Sequence, residues 1–316
     1  MRATIGLDIG GTKINGCVVD AGGVVLARGR RESPAQDPVA MVDEAASLIR
    51  QLSVGHDVEA AGVACAGFID PPGTTVLFAP NLAWRDLPLK KLLESALHLP
   101  VTIENDANAA AWGEFRFGAA VGTTDMVLVT VGTGIGGGVV TNGVLMRGAF
   151  GLAAELGHMR VVPGGLRCGC GNRGCWEQYA SGTALVREAR ELVASETPHA
   201  ARLGELCAGD PHRLTGPDVT RAAVEGDPAA VELLSDLGTW IGEGAASVAA
   251  ILDPELIVLG GGVSEAGALL VDPAVAAFRR HLTGRGHRPE ARFVVASLGN
   301  DAGMIGVADL AARSRP

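Results

Sequence analysis

Thr4-Ile-Gly-Leu-Asp8-Ile-Gly10-Gly11-Thr12-Lys13-Ile-Asn-Gly-Cys-Val-Val19 decides the fold, because an apolar strand here runs through a glycine turn into a second apolar strand. Strands are expected over 4–7 and 14–19. After the turn Asp20-Ala-Gly-Gly23 a third is expected over 24–27, which makes a β-meander. A helix is expected over 38–52, where Met41, Val42, Ala45, Leu48, Ile49 and Leu52 recur at helical spacing. The short apolar runs 60–66 and 101–103 read as buried strands. Strands that alternate with helices in this way indicate an α/β class.

Around Asp125 the pattern restarts. A strand over 126–131, the turn Gly132-Thr133-Gly134-Ile-Gly-Gly-Gly138, a strand over 139–141 and the hairpin turn Asn142-Gly143 repeat the opening meander. This weak internal repeat suggests two lobes of one topology with a cleft between them. The length of 316 residues agrees, since single cores stop growing at about 250–300 residues. The lobes are expected over 1–109 plus 300–316, and over 110–299. Past Val161 helices are expected over 183–195, 217–225 and 228–252. Ala, Gly and Ser on the later faces of the last one let a neighbouring helix come close. A buried strand over 256–259 enters Gly260-Gly261-Gly262, and a terminal helix is expected over 301–312.

Composition excludes several classes of function. With 47% hydrophobic and 19% charged residues the chain can build a core, unlike a disordered sequence. Its net charge of -9 disfavours generic binding to a nucleic acid backbone. The uncharged stretch 126–146 is long enough to span a bilayer, but it is broken by glycines from Gly132 to Gly143, so no membrane helix is expected. Asp8 would fall inside the apolar region of a signal peptide, which leads to the expectation of a cytoplasmic protein. In such a reducing compartment Cys17, Cys65 and Cys207 read as small buried hydrophobes.

Three further cysteines crowd into Cys168-Gly-Cys170-Gly-Asn-Arg-Gly-Cys175, and Glu155-Leu-Gly-His158 lies just upstream. One His with three close Cys makes a Cys₃His tetrahedral set for structural zinc. A metal on one ring nitrogen of His158 would fix its tautomer and leave the other nitrogen for a substrate. Glu177 is either a second carboxylate beside Glu155 or a residue of a surface helix. The turn at Asp8, Gly10, Gly11, Thr12 and Lys13 can present amides and a cation to an anion, or can be a tight hairpin turn. It is not a Walker A loop, because it enters a strand. Gly132-x-Gly134-x-x-Gly137 matches the dinucleotide fingerprint formally, but a strand follows where that motif needs a helix. Two glycine turns at equivalent places suggest a polyphosphate ligand. The turn at Gly261 and Gly262 could receive an adenine ring, or be only a turn. Glu104-Asn105-Asp106 ends a strand and opens an Ala-rich helix. There Asn105 or Asp106 can cap the helix, and a carboxylate can also accept a proton from a substrate hydroxyl.

Together, Asp8-Ile-Gly-Gly-Thr-Lys13, Glu104-Asn-Asp-Ala-Asn-Ala-Ala-Ala111, Thr130-Val-Gly-Thr-Gly-Ile-Gly-Gly-Gly138, Glu155-Leu-Gly-His158, the cysteine cluster and Leu259-Gly-Gly-Gly-Val263 resemble the ROK family of sugar kinases and repressors. Within it, Pro80-Asn81-Leu-Ala-Trp84 and Cys175-Trp-Glu177-Gln-Tyr-Ala-Ser-Gly182 resemble its ATP-dependent glucokinases. The resemblance implies an actin-like ATPase fold with two ribonuclease H-like lobes, and transfer of the γ-phosphoryl group of MgATP to the 6-hydroxyl of glucose. It implies Asp106 as base, with Asn105, Glu155, His158 and Glu177 on the ring hydroxyls and Gly67 and Asn81 as further sugar contacts. Gly10, Gly11, Thr12, Lys13, Thr133 and Gly134 would hold phosphates, Asp8 would lie near Mg²⁺, and Gly261 and Gly262 would flank adenine. A homo-oligomer, dimer or tetramer, is expected. The family pattern often carries glycine where this chain has Ala154.

A kinase for another hexose, such as N-acetylmannosamine, is the alternative among enzymes. A sugar-responsive repressor is the rival from another class. Such repressors carry a winged helix-turn-helix ahead of the first glycine turn, and here Asp8 is the eighth residue, so the enzyme reading is expected.

Overall fold

A computed structural model describes residues 2–314. In chain order, β1 (Arg2–Ile9), β2 (Lys13–Asp20) and β3 (Val25–Glu32) form the opening meander. Then come α1 (Pro38–Ser53), β4 (Asp57–Cys65), β5 (Phe68–Ile69), β6 (Val76–Ala79), β7 (Trp84–Leu87), α2 (Leu89–Leu97), β8 (Val101–Asn105) and α3 (Asp106–Phe117). The second series is β9 (Met126–Val131), β10 (Ile135–Thr141), β11 (Val144–Leu145), α4 (Glu177–Ala180), α5 (Gly182–Ala194), α6 (Ala201–Leu206), α7 (Gly216–Val224), α8 (Pro228–Leu252), β12 (Leu256–Gly260), α9 (Ala268–His281), β13 (Arg292–Val295) and α10 (Ala302–Arg313).

Two five-stranded sheets share one plan. Their orders are β3-β2-β1-β4-β8 and β11-β10-β9-β12-β13. In the first, β1 runs antiparallel to β2 and parallel to β4, and β4 is parallel to β8. In the second, β12 is parallel to both β9 and β13. The chain divides into two compact units: Met1–Thr124 with Gly138–Ala154 and Ser297–Pro316, and Asp125–Gly137 with Glu155–Ala296. Met1, Arg315 and Pro316 of the expected lobes lie outside the described residues.

The expected lobe boundary at 109/110 needs correction, because it would cut α3. That helix stays on α10, with the Trp112 indole donating to Asp309 at 2.8 Å. Backbones meet closely there: a Cβ on Gly306 would lie 1.8 Å from the Ala109 carbonyl oxygen, and one on Gly113 2.3 Å from that of Ala302. The other side of α10 lies on the sheet, where Gly6 and Gly62 leave the same room under Met304 and Val307. Across the first sheet, Ile5, Leu7, Met41, Leu48, Ile49, Val63 and Ile103 are fully or almost fully buried between β1, α1, β4 and β8. In the second unit α8 packs on α9 through Gly238 and Gly242, as the small residues of its later faces suggest.

Candidate functional site

In the first unit, register lines up the functional side chains. Asp8 on β1 pairs with Ala64 on β4, and Ala64 pairs with Glu104 on β8, so these strands end together. Asn105 and Asp106 follow at once, at the carboxyl edge where parallel sheets place ligands. Asn105 caps α3: its Oδ1 accepts from the amides of Ala107 at 3.0 Å and Asn108 at 3.1 Å. Its Nδ2 donates to the Gly67 carbonyl at 3.3 Å and keeps a second hydrogen for another acceptor. Asp106 Oδ1 accepts from the Ala107 amide at 2.9 Å, which leaves Oδ2 for a hydroxyl.

Electrostatics sets these carboxylates apart. Burial, and then the negative charge of Asp106, push the Asp8 carboxyl up to about 6. Burial likewise raises Asp106, against the lowering effect of the Ala107 amide. The neighbouring Glu104 is buried, but it accepts from the Asn105 amide, the Asn108 side chain and, at 2.7 Å, Arg147 Nε. Sequence reading missed Arg147; with the partners 43 positions apart, no local pattern announces the pair.

The first glycine turn closes with the Gly10 amide on the Lys13 carbonyl at 3.0 Å, and the side chains of Thr12 and Lys13 are exposed. Gly11 lies on the Asn81 backbone, where a Cβ would come within 3.2 Å of its carbonyl oxygen. Asp8, Gly10, Gly11, Thr12, Lys13, Gly67, Asn81, Asn105 and Asp106 all belong to this unit.

Thr133, Gly134, Glu155, His158, Cys168, Cys170, Cys175, Glu177, Gly261 and Gly262 belong to the other. The ligating atoms of His158, Cys168, Cys170 and Cys175 lie within 4.8 Å of one another. Cys170 and Cys175 sulfurs are 3.6 Å apart, and Cys168 Sγ is 3.6 Å from His158 Nδ1. A tetrahedron of ~2.3 Å zinc–sulfur bonds needs sulfurs ~3.8 Å apart, whereas a disulfide needs ~2.05 Å. The donor set therefore fits zinc through His158 Nδ1, leaving Nε2 free. The Cys168 thiol donates to Glu177 Oε1 at 3.0 Å, so Glu177 borders the cluster. It also borders the second glycine turn, since a Cβ on Gly134 would lie 2.6 Å from Glu177 Oε2. The knuckle is anchored by Trp176, fully buried, whose indole donates to the Trp240 carbonyl at 2.8 Å.

Gly261 has φ 83° and leaves no room for a side chain, because a Cβ would come within 2.4 Å of the Val131 carbonyl oxygen. This sets the Gly261 turn against the strand end that precedes Gly132. Space is open around Gly262. Ala154 has φ 68°, which explains physically why glycine suits its position. Cys17, Cys65 and Cys207 are buried as expected.

Two sheets of one plan, each with a glycine turn between paired strands, define the actin-like ATPase fold with two lobes. The chain belongs to the ROK family, whose model matches residues 4–314. It is 46% identical to a glucokinase of Streptomyces coelicolor over 316 residues, 100% of this chain and 99% of that one. A crystal structure of a ROK family glucokinase from Streptomyces griseus, in complex with glucose and AMPPNP, has 49% identity and a TM-score of 0.89, covering 99% of this chain and 100% of that one. A ROK hexokinase from Thermus thermophilus has 35% identity and a TM-score of 0.81, with 98% of each chain covered. Among the described residues, no helix is long and apolar enough to cross a membrane.

Proposed function

We propose that this chain transfers the γ-phosphoryl group of MgATP to the 6-hydroxyl of glucose, giving glucose 6-phosphate and ADP. The observation that carries the reading is Asp106: a partly buried carboxylate at a strand's carboxyl edge, one oxygen held by an amide and its proton affinity raised. Full-length likeness to proteins that are glucokinases supports the choice of sugar.

Asp106 Oδ2 accepts the hydroxyl proton as the oxygen attacks, a task that a raised proton affinity favours. Asn105, through its remaining Nδ2 hydrogen, and Glu155, His158 Nε2 and Glu177 hold ring hydroxyls, with Gly67 and Asn81 as further contacts. Gly10, Gly11, Thr12, Lys13, Thr133 and Gly134 hold phosphate oxygens, and Gly261 and Gly262 flank adenine. Asp8, whose negative charge is raised in energy by Asp106, suits a dication and would hold Mg²⁺. Magnesium supplies charge neutralisation on the phosphate oxygens. Zinc on His158, Cys168, Cys170 and Cys175 is structural, because four protein ligands leave no open position. The protein works in the cytoplasm as a dimer or tetramer, which sedimentation would read.

A coupled ADP-release assay over a panel of hexoses, with ATP and with polyphosphate, tests the reading. Glucose with ATP should give the highest kcat/KM. A preference for N-acetylmannosamine would move the substrate to another hexose, and no turnover with any sugar would overturn the kinase reading.

A further inference from the structure

Both glycine turns have their carbonyls tied down from outside the turn. In the first, Ser33 Oγ donates to the Gly10 carbonyl at 2.6 Å, and the Ser33 amide donates to the Thr12 carbonyl at 3.1 Å. In the second, Thr183 Oγ1 donates to the Thr133 carbonyl at 2.6 Å, and the Gly182 amide donates to the Gly132 carbonyl at 2.8 Å. Each turn also closes on itself through one backbone hydrogen bond of 3.0 Å, from the Gly10 amide to the Lys13 carbonyl three residues on and from the Gly132 amide to the Gly134 carbonyl two residues on. The two hydroxyls come from unrelated places: Ser33 follows β3, whereas Thr183 stands in the first turn of α5.

The consequence follows from the trans peptide, in which C=O and the next N–H point in opposite directions. A hydroxyl that fixes the Gly10 carbonyl fixes the Gly11 amide on the other side, and one that fixes the Thr133 carbonyl does the same for Gly134. An anion needs those amides converging on it and the carbonyl dipoles turned away. We propose that Ser33 and Thr183 are positioning residues for nucleotide: each captures one carbonyl of a glycine turn and so aims the following amide, Gly11 or Gly134, at a phosphate. Neither residue touches the reacting atoms. The inference rests on the MgATP reading above and deepens it.

Ser33→Ala and Thr183→Val remove the donors with little change of shape. Calorimetric binding of magnesium and AMPPNP, a nonhydrolysable ATP analogue, should weaken about 2- to 10-fold for each variant, the range for one hydrogen bond. KM for ATP should rise by a similar factor, while the Kd for glucose stays unchanged. Ser33→Thr and Thr183→Ser, which keep the hydroxyl, should restore nucleotide binding; a purely structural role would not separate the two ligands in this way. Should Thr183→Val fail to fold, Thr183→Ala carries the same expectation. Folded donor-less variants with wild-type AMPPNP affinity, or equal loss of glucose affinity, would overturn the proposal. Wild-type protein that binds no AMPPNP would instead overturn the MgATP reading itself.

Discussion

Burial raises the proton affinity of both Asp106 and Asp8, and the negative charge of Asp106 adds to the rise at Asp8. Asp106→Asn keeps the shape of the side chain and removes the base; turnover should fall by ~10²-fold or more with the fold intact. Near-normal turnover in a folded variant would remove Asp106 from the mechanism. Asp8 carries a consequence for stability. Because its folded pKa is about 6 against an ordinary 3.8, the folded state binds the proton more tightly between these values. Stability therefore falls as pH rises through that window, and the penalty is full above about 6. In magnesium-free buffer, Asp8→Asn should be more stable than wild type by roughly 3 kcal/mol at neutral pH, from ~1.4 kcal/mol for each pH unit of displacement. The difference should shrink towards zero near pH 4 in urea titrations; a constant difference across pH would show that charge is not its cause. Asp106 was legible as a carboxylate at a strand-to-helix junction. The cap belongs to Asn105, while Asp106 accepts from the amide of Ala107, a division that sequence left open between them.

The knuckle was the most legible element, because ligand spacing is local and few other chemistries need three cysteines in eight residues. Cys170→Ser should lose zinc and weaken glucose binding together by ~10- to 100-fold, although Cys170 is not proposed to touch sugar. Elemental analysis finding no zinc in the wild type, or a zinc-free variant with normal glucose affinity, would break that coupling. Less legible were elements held by distant partners. The sheet β5-β6-β7 is made of strands of two to four residues, too short for periodicity to register. Helix α9 contains Pro273, which reads as a breaker; it sits six residues into the helix, its Cβ facing Gly238 of α8. Glu114, on α3, was silent in sequence as well. Fully buried, it accepts from the amides of Ala119 at 2.8 Å, Ser297 at 3.1 Å and Leu298 at 2.8 Å, fixing the segment that leads into α10. Glu114→Ala leaves those donors unpaired and should destabilise the fold by ~3 kcal/mol or more, read as a shift in urea midpoint. A shift within error would mean that the segment is held by α10 alone.

At the scale of the whole molecule, the repeat was legible because each sheet announces its first strand with an apolar run and its turn with glycines. The unit boundary was not, because Gly138–Ala154 returns to the first unit through close approaches, such as Gly151 under the Ile69 carbonyl, that leave no periodic mark. Charge adds a property that no single element carries. Acidic residues number 35 against 26 basic ones, and many arginines are already paired with carboxylates, among them Arg2, Arg28, Arg202 and Arg279. Binding to a duplex draws on counterions released by unpaired cations, and sequence-independent affinity fades steeply with salt. A regulator that read DNA through this chain would need a basic face, and the net charge of -9 opposes one at every distance within a Debye length of ~8 Å. Mobility-shift titrations with random duplex DNA should therefore show no complex at micromolar protein in ~0.15 M salt, with or without glucose. A glucose-dependent complex under those conditions would return the repressor class to consideration and require a DNA-contacting surface that the charge distribution does not suggest.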